Sequence, residues 1–135
     1  INQWLFWQMG GLGPMAGQAH HFRQYAPETV PYGIDRYTNE CNRLYGVMDR
    51  RLADREFLAG DYSIADIACW PWAMLNERQG QDVNDFPNLK RWIEAIQARP
   101  AAARGQLIGA DHRRNIDDEE SRKVLFGQTA DSGND

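Results

Sequence analysis

Histidine and cysteine are the side chains most able to support acid–base, metal or thiol chemistry, and this sequence has few of either. His20 and His21 are adjacent, so on a helix their side chains point about 100° apart and cannot both bind one metal ion. His112 lies far along the chain in a charged segment. Cys41 and Cys69 fall within apolar helical patterns, where burial raises a thiol pKa and suppresses reactivity. The sequence therefore predicts no metal site and two structural cysteines.

A serine and an acid three residues apart, Ser63 and Asp66, open the most apolar segment of the chain. A hydrolase would need a histidine base beside such a pair, and none lies nearby in the sequence. Ser63 is instead placed to accept an amide hydrogen at a helix start, while the Asp66 carboxylate reaches back to the Ser63 amide. The spacing predicts a capping box, which stabilises a helix by about 1 kcal/mol.

Glycine and proline interrupt the first helical segment, at Gly10, Gly11, Gly13 and Pro14. The run lacks the preceding strand and the lysine of a phosphate-binding loop, so we interpret it as a close approach of the backbone to another helix or to a ligand. Pro14 predicts a kink or a break, because it cannot donate an amide hydrogen to the preceding turn. Trp7 and Trp72 each lie near such an interruption, where a pocket could open.

The basic side chains are 13 arginines and only 2 lysines, and arginine is the better planar partner for carboxylates. Arg36 stands out because it precedes Tyr37 near the start of the second helical pattern. Two interpretations stay open for it: an ion pair at the surface or at an interface, and a contact with a ligand carboxylate.

Four apolar helical patterns position these residues, over residues 1–25, 34–54, 63–75 and 85–100. The third is apolar nearly all round, which predicts a buried central helix with a kink at Pro71. No alternating strand pattern occurs. The sequence predicts an all-α bundle of four to six helices over residues 1–110, with a kinked first helix, followed by a charged tail over residues 111–135.

Composition excludes several classes of protein. The 135 residues are 42% hydrophobic and 25% charged, which indicates one globular domain. A net charge of −4 argues against a nucleic-acid partner, and no apolar run reaches the roughly 20 residues that cross a bilayer. Two cysteines fit a reducing cytoplasm. The first helical pattern begins at Ile1 without a capping residue, so we expect the chain to belong to a longer protein.

Residues 3–15, 20–22 and 62–72 together resemble the C-terminal helical domain of cytosolic glutathione S-transferases. The capping box is shared by the wider superfamily. The string Trp-Gln-x-Gly-Gly-Leu-Gly-Pro-Met, at residues 7–15, is similar to the nu class of bacterial enzymes, which are relatives of a fungal nitrogen-regulator prion protein. The resemblance covers nearly all of the chain.

This resemblance implies a protein with an N-terminal thioredoxin-like domain, absent from this chain, that holds most contacts to glutathione. It implies a homodimer with glutathione as co-substrate, no metal, and reduction of small disulfides without a protein cysteine, with weaker conjugation or peroxidase activity. No catalytic residue is expected in this chain, which alone is predicted to be inactive.

The resemblance also implies roles for particular residues. Arg36 matches the family arginine that reaches a glutathione carboxylate, as suits a forked and always charged donor. Ser63 and Asp66 match the folding motif of the family and take no part in its catalysis. The substrate pocket is expected to be walled by Trp7, Gly10, Gly11, Pro14 and Trp72.

Three functional hypotheses follow. The chain is the helical half of a nu-like disulfide reductase, or it belongs to a non-catalytic relative that serves as a binding or regulatory protein. The third hypothesis is a helical interaction module unrelated to glutathione, which the motif strings disfavour.

Overall fold

The computed structural model describes residues 1–112, 116 and 118–132, and within them the chain is helical without a named strand. It divides into two compact units, Ile1–Ala103 and Arg104–Asp135. The helices are α1 (Asn2–Trp7), α2 (Gly13–Gln24), α3 (Pro31–Leu52), α4 (Ile64–Ala73), α5 (Pro87–Gln97), α6 (Pro100–Leu107) and α7 (Glu119–Phe126). No helix in the described part of the chain is both long and apolar enough to cross a membrane.

The first helical segment does not break at its glycines. A π-helical turn, Gln8–Leu12, joins α1 to α2, and the Gly13 amide donates to the Gln8 carbonyl. Pro14 lies in the first turn of α2, and the wider π turn accommodates its missing amide. The interruption expected at this point is therefore present as one turn of π-helix.

The long helix α3 forms one wall of the core of the first unit. Its buried side chains follow the helical spacing predicted from the sequence: Cys41, Leu44, Tyr45, Met48 and Leu52. The helix begins three residues earlier than Ile34, since proline is well tolerated at a first helical position, here Pro31.

The predicted capping box forms at the start of α4. The Ser63 hydroxyl accepts from the first amides of the helix, including that of Ala65 at 3.3 Å, and the Ser63 amide donates to Asp66 Oδ2 at 3.0 Å. Asp66 has no solvent exposure, and its Oδ1 also accepts from the Leu58 amide at 3.0 Å and from Trp92 Nε1 at 2.8 Å. The capping carboxylate thereby ties the preceding loop and α5 to α4.

Helix α4 is buried on one side only. Asp66, Cys69, Trp70 and Ala73 lie inside, whereas Ile64 and Ile67 on the other side are more than half exposed. The apolar composition of this helix therefore leaves an apolar surface uncovered by the described chain.

Helices α3 and α5 cap one another. Asp49 of α3 accepts from the Asn88 and Leu89 amides at 2.8 and 3.0 Å, at the start of α5. Arg91 of α5 donates to the Leu52 carbonyl at 2.9 Å, at the end of α3. A carboxylate at a helix N-terminus and a guanidinium at a C-terminus each satisfy orphan backbone groups and oppose the helix dipole.

The second unit contains helix α7, which the sequence analysis missed within the charged tail. Asp118 caps this helix by accepting from the Ser121 amide at 2.7 Å. Val124, Leu125 and Phe126 near its end are each about half exposed. Part of the predicted tail, residues 113–115, 117 and 133–135, lies outside the described residues.

Replacement of Asp66 by alanine is predicted to lower the free energy of unfolding by about 3 kcal/mol. The change removes the cap and also leaves the buried Leu58 amide and Trp92 indole N–H without an acceptor. Ser63→Ala removes only the cap and should cost about 1 kcal/mol. Urea denaturation followed by circular dichroism measures both, and equal losses for the two variants would contradict a linking role for Asp66.

Candidate functional site

Arg36 lies on the exposed side of α3, one turn after Tyr32, which is 79% exposed. The acid one turn further on, Glu40, is already engaged: Arg43 donates to both of its oxygens, at 2.7 and 2.8 Å. This bond lowers the pKa of Glu40, to which the charge of Arg36 adds a smaller effect. Arg36 consequently has no ion pair within the part of the chain that the structure describes, and its guanidinium can bind an external anion.

The first turns of α3 are held in place by an aromatic contact with α2. The Phe22 ring lies over Gly33, so close that a methyl group at Gly33 would sit 2.9 Å from two ring carbons. The same ring stacks on Tyr37 with centroids 5.4 Å apart. Glycine at this position lets the two helices approach, which fixes the start of α3 and the backbone that carries Arg36.

Trp72, near the end of α4, packs across the first helical segment. Carbon atoms of its indole would lie 3.5 Å from a methyl group at Gly17, and its Nε1 would lie 3.3 Å from one at Gly13. The close backbone approach predicted for the glycine run therefore occurs, with Gly13 and Gly17 as the contact points. The sequence analysis did not select Gly17, although its spacing of four residues from Gly13 places both on one helix face.

The other expected pocket residues occupy different environments. Trp7 is half-buried and meets Trp4 edge to face, with ring centroids 5.1 Å apart. Gly11 makes an ordinary contact with Leu44, whereas Gly10 has open space beside it and Pro14 is exposed. The structure thus places Trp72 at the glycine run, and Gly10 and Pro14 at the surface.

Gln8 is a residue that the sequence analysis missed. Its side chain is only 6% exposed, and its Nε2 lies so close to Gly13 that a methyl group there would sit 2.6 Å away. The sequence signal that could have indicated a buried polar side chain was the position of this glutamine between Trp7 and Met9, inside an apolar run. Because Gln8 opens the π turn, its side chain points inward, toward Gly13 and Trp72.

A buried polar network fixes the end of α4. Gln79 is fully buried and donates through Nε2 to the Trp72 carbonyl at 2.7 Å. Its Oε1 accepts from the Tyr45 hydroxyl at 2.8 Å and from Cys41 Sγ at 3.3 Å, both on α3. Each polar atom of this amide therefore has a partner, and Gln79 ties the backbone of Trp72 to α3.

The cysteines match the prediction of structural, unreactive thiols. Burial raises the pKa of Cys41 and of Cys69 to about 12, with smaller contributions from the charges of Glu40 and Asp66. At neutral pH both thiols are protonated and enclosed. No three metal-ligating side chains come together among residues 1–112, 116 and 118–132.

Comparison with known proteins identifies the family of this chain. Residues 34–100 match the family model described as glutathione S-transferase, C-terminal domain. Over 106 residues the chain is 54% identical to the disulfide-bond oxidoreductase YfcG of Escherichia coli, covering 78% of this chain and 49% of that protein. The transcriptional regulator URE2 of Saccharomyces cerevisiae is 32% identical, over 78% of this chain and 40% of its own length.

A solved structure shares the fold. It is the glutathione transferase of Burkholderia graminis with two glutathione molecules bound per subunit, which is 41% identical. The match covers 83% of this chain and 49% of that one, with a TM-score of 0.71. The chain spans about half the length of the relatives it matches.

Neither cysteine is predicted to react with a thiol reagent in the folded chain at pH 8. With each pKa near 12, the thiolate population is small, and burial blocks access of the reagent. Ellman's reagent should give no colour over minutes in buffer and two equivalents per chain in guanidinium chloride. Rapid reaction of one equivalent in buffer would contradict the structural assignment.

Proposed function

We propose that this chain is the helical half of a glutathione-dependent disulfide reductase of the nu type. The chain belongs to the glutathione S-transferase family through its C-terminal helical domain. The proposal is supported by the identity with YfcG, a named disulfide-bond oxidoreductase. It is also supported by the two enclosed thiols, which leave the chemistry to the glutathione sulfur. The expected setting is the cytoplasm.

The reaction needs two glutathione molecules and no protein thiol. A glutathione thiolate attacks one sulfur of the substrate disulfide, a new S–S bond forms, and the displaced sulfur leaves as a thiolate that takes up a proton. A second glutathione thiolate then attacks the glutathione sulfur of this mixed disulfide and displaces the other substrate thiol. The products are two thiols and glutathione disulfide, so the electrons come from the two glutathiones.

The observation that carries this proposal is the unpaired guanidinium of Arg36. Glu40 is held by Arg43, and no acid of the described residues forms an ion pair with Arg36. Its planar donors suit a glutathione carboxylate, which they can bind in a forked geometry. The role of this chain is then to bind and orient the peptide part of glutathione. The residues of the expected substrate pocket hold the disulfide substrate.

We assign the wall to Trp72 together with Trp7, Gly10, Gly11 and Pro14. Trp72 gives an aromatic surface, and a hydrogen bond from Gln79 to its carbonyl holds its backbone in place. Gly10 leaves open space beside the π turn. Apolar walls with a few placed polar groups are typical of small-molecule sites.

The partners we propose are a thioredoxin-like domain in the same polypeptide and a second copy of the chain. Apolar side chains at the start of the chain, on α1, on the π turn and on α4 are more than half exposed: Ile1, Phe6, Met9, Ile64 and Ile67. Patches of this kind mark surfaces that are covered in an assembly. We retain residues 1–110 as the helical domain and residues 111–135 as its charged tail.

A binding or regulatory role is the alternative, and the similarity to the yeast transcriptional regulator favours it. Such a protein would bind glutathione disulfide through the same arginine but would not turn over a disulfide. Turnover by the complete polypeptide separates the two roles. The family match argues against the third hypothesis, a module unrelated to glutathione.

The variant Arg36→Ala is predicted to weaken the affinity of the complete polypeptide for glutathione disulfide by about 10- to 100-fold, the loss expected for a hydrogen-bonded charge pair. Arg50→Ala is the matched control, because Arg50 is an exposed arginine near the opposite end of the same helix. Isothermal calorimetry with both variants measures the effect.

The control variant should bind within about twofold of the parent protein. The helix content of both variants should be unchanged by circular dichroism. Equal affinity of the Arg36 variant and the parent would return Arg36 to the role of a surface residue.

A further inference from the structure

Gln79 is a buried amide that follows α4, at the end of the 3₁₀ turn Asn76–Gln79. Its side chain has no exposure to solvent, so a bound substrate cannot touch it. A buried amide is unfavourable unless its polar atoms are hydrogen-bonded, and an apolar side chain of similar size would avoid that requirement. An amide at this place therefore calls for a reason other than packing.

The hydrogen bonds of Gln79 join the end of α4 to α3. Its Nε2 donates to the Trp72 carbonyl at 2.7 Å, in the last turn of α4, where carbonyls lack donors from their own helix. Its Oε1 accepts from the Tyr45 hydroxyl at 2.8 Å and from Cys41 Sγ at 3.3 Å. A buried polar group with all its partners in place makes the local structure rigid, so the Trp72 backbone is held at a defined distance from α3.

The Trp72 indole lies against a surface that does not itself hold the ring in place. Its carbon atoms would lie 3.5 Å from a methyl group at Gly17, and its Nε1 would lie 3.3 Å from one at Gly13. Glycines have no side chain to hold the ring in register, so the position of the indole depends on the backbone that carries it. The ring stays partly exposed, which leaves it accessible to a ligand.

We propose that Gln79 is a positioning residue for the disulfide substrate, because it fixes the backbone of Trp72 and thereby the place of the indole. This assignment rests on the function proposed above and on the place of Trp72 in the substrate pocket. Gln79 touches neither the reacting sulfurs nor Arg36. Its loss should therefore raise the KM for the disulfide and leave both kcat and the KM for glutathione unchanged.

Gln79→Met in the complete polypeptide tests this role, with bis(2-hydroxyethyl) disulfide as the substrate. Methionine is similar in length and removes both polar atoms of the amide. We expect the KM for the disulfide to rise about fivefold, which corresponds to the loss of one hydrogen bond. The kcat and the KM for glutathione should stay within about twofold of the parent values. A disulfide KM equal to that of the parent would overturn the assignment.

Gln81→Met is the matched control, because Gln81 is a second buried amide, only 5% exposed, two residues further on. Its hydrogen bonds go to the Asn42 side chain and to the carbonyls of Thr38 and Gln79 rather than to Trp72. The control should lose thermal stability, as a structural residue does, and keep the disulfide KM of the parent. An equal rise of KM in both variants would show general loosening and would overturn the positioning role.

Proton NMR of the complete polypeptide measures the position of the indole without turnover. Nuclear Overhauser contacts join the Trp72 ring protons to the α protons of Gly13 and Gly17, and Trp72→Phe assigns them. The contacts should weaken in Gln79→Met and persist in Gln81→Met. Contacts of parent strength in Gln79→Met would overturn the assignment.

Gln79→Glu is the conservative variant, and it also serves if the methionine variant does not fold. A protonated carboxyl has one donor and one acceptor, so it can bond the Trp72 carbonyl and the Tyr45 hydroxyl as the amide does. Burial raises the pKa of such a carboxyl and favours this form at pH 5. The contacts of the indole should match those of the parent at pH 5 and weaken as the carboxyl ionises.

The two measurements separate failure of this assignment from failure of the proposed function. Weak indole contacts at pH 5 in Gln79→Glu would overturn the positioning role, since a group with the same bonds would not restore the ring. If the parent protein turns over no disulfide, the proposed function fails and the substrate role of Gln79 fails with it. If the parent is active and only the Gln79 variants behave like the parent, the positioning role fails alone.

Discussion

Asp66 has no exposure to solvent, so its carboxylate must be satisfied by donors from the protein itself. It accepts from the Ser63 amide at the start of α4, from the Leu58 amide in the preceding loop, and from the Trp92 indole on α5. The one acid therefore constrains how these three segments pack against one another. The position of α4, and with it that of Trp72 at the other end of the helix, depends on this constraint.

The other polar contacts extend the same frame to α3. Asp49 and Arg91 cap the facing ends of α5 and α3, and Gln79 ties the Trp72 carbonyl to Tyr45. Among the described residues the guanidinium of Arg36 forms no ion pair, and three buried side-chain atoms have no hydrogen-bond partner: His20 Nε2, Thr38 Oγ1 and Arg122 Nε.

Local signals in the sequence predicted much of this fold. The spacing of Ser63 and Asp66 was sufficient for the capping box, and the apolar stripe was sufficient for α3, because both depend on neighbours within a few residues. The bond from Trp92 to Asp66 joins residues 26 positions apart and leaves no local pattern. The inward turn of Gln8 was missed because a π turn shifts the helical period.

Glutathione-dependent turnover of a small symmetrical disulfide tests the central claim most directly, measured for this chain alone and for the complete polypeptide with its thioredoxin-like domain. The account predicts turnover by the complete polypeptide and none by the chain alone, because the helical half binds and orients the ligand but contributes no reacting sulfur. Turnover by the chain alone would contradict this division of roles. A complete polypeptide that binds glutathione disulfide without turning over any disulfide would contradict the reductase assignment and leave a binding or regulatory protein.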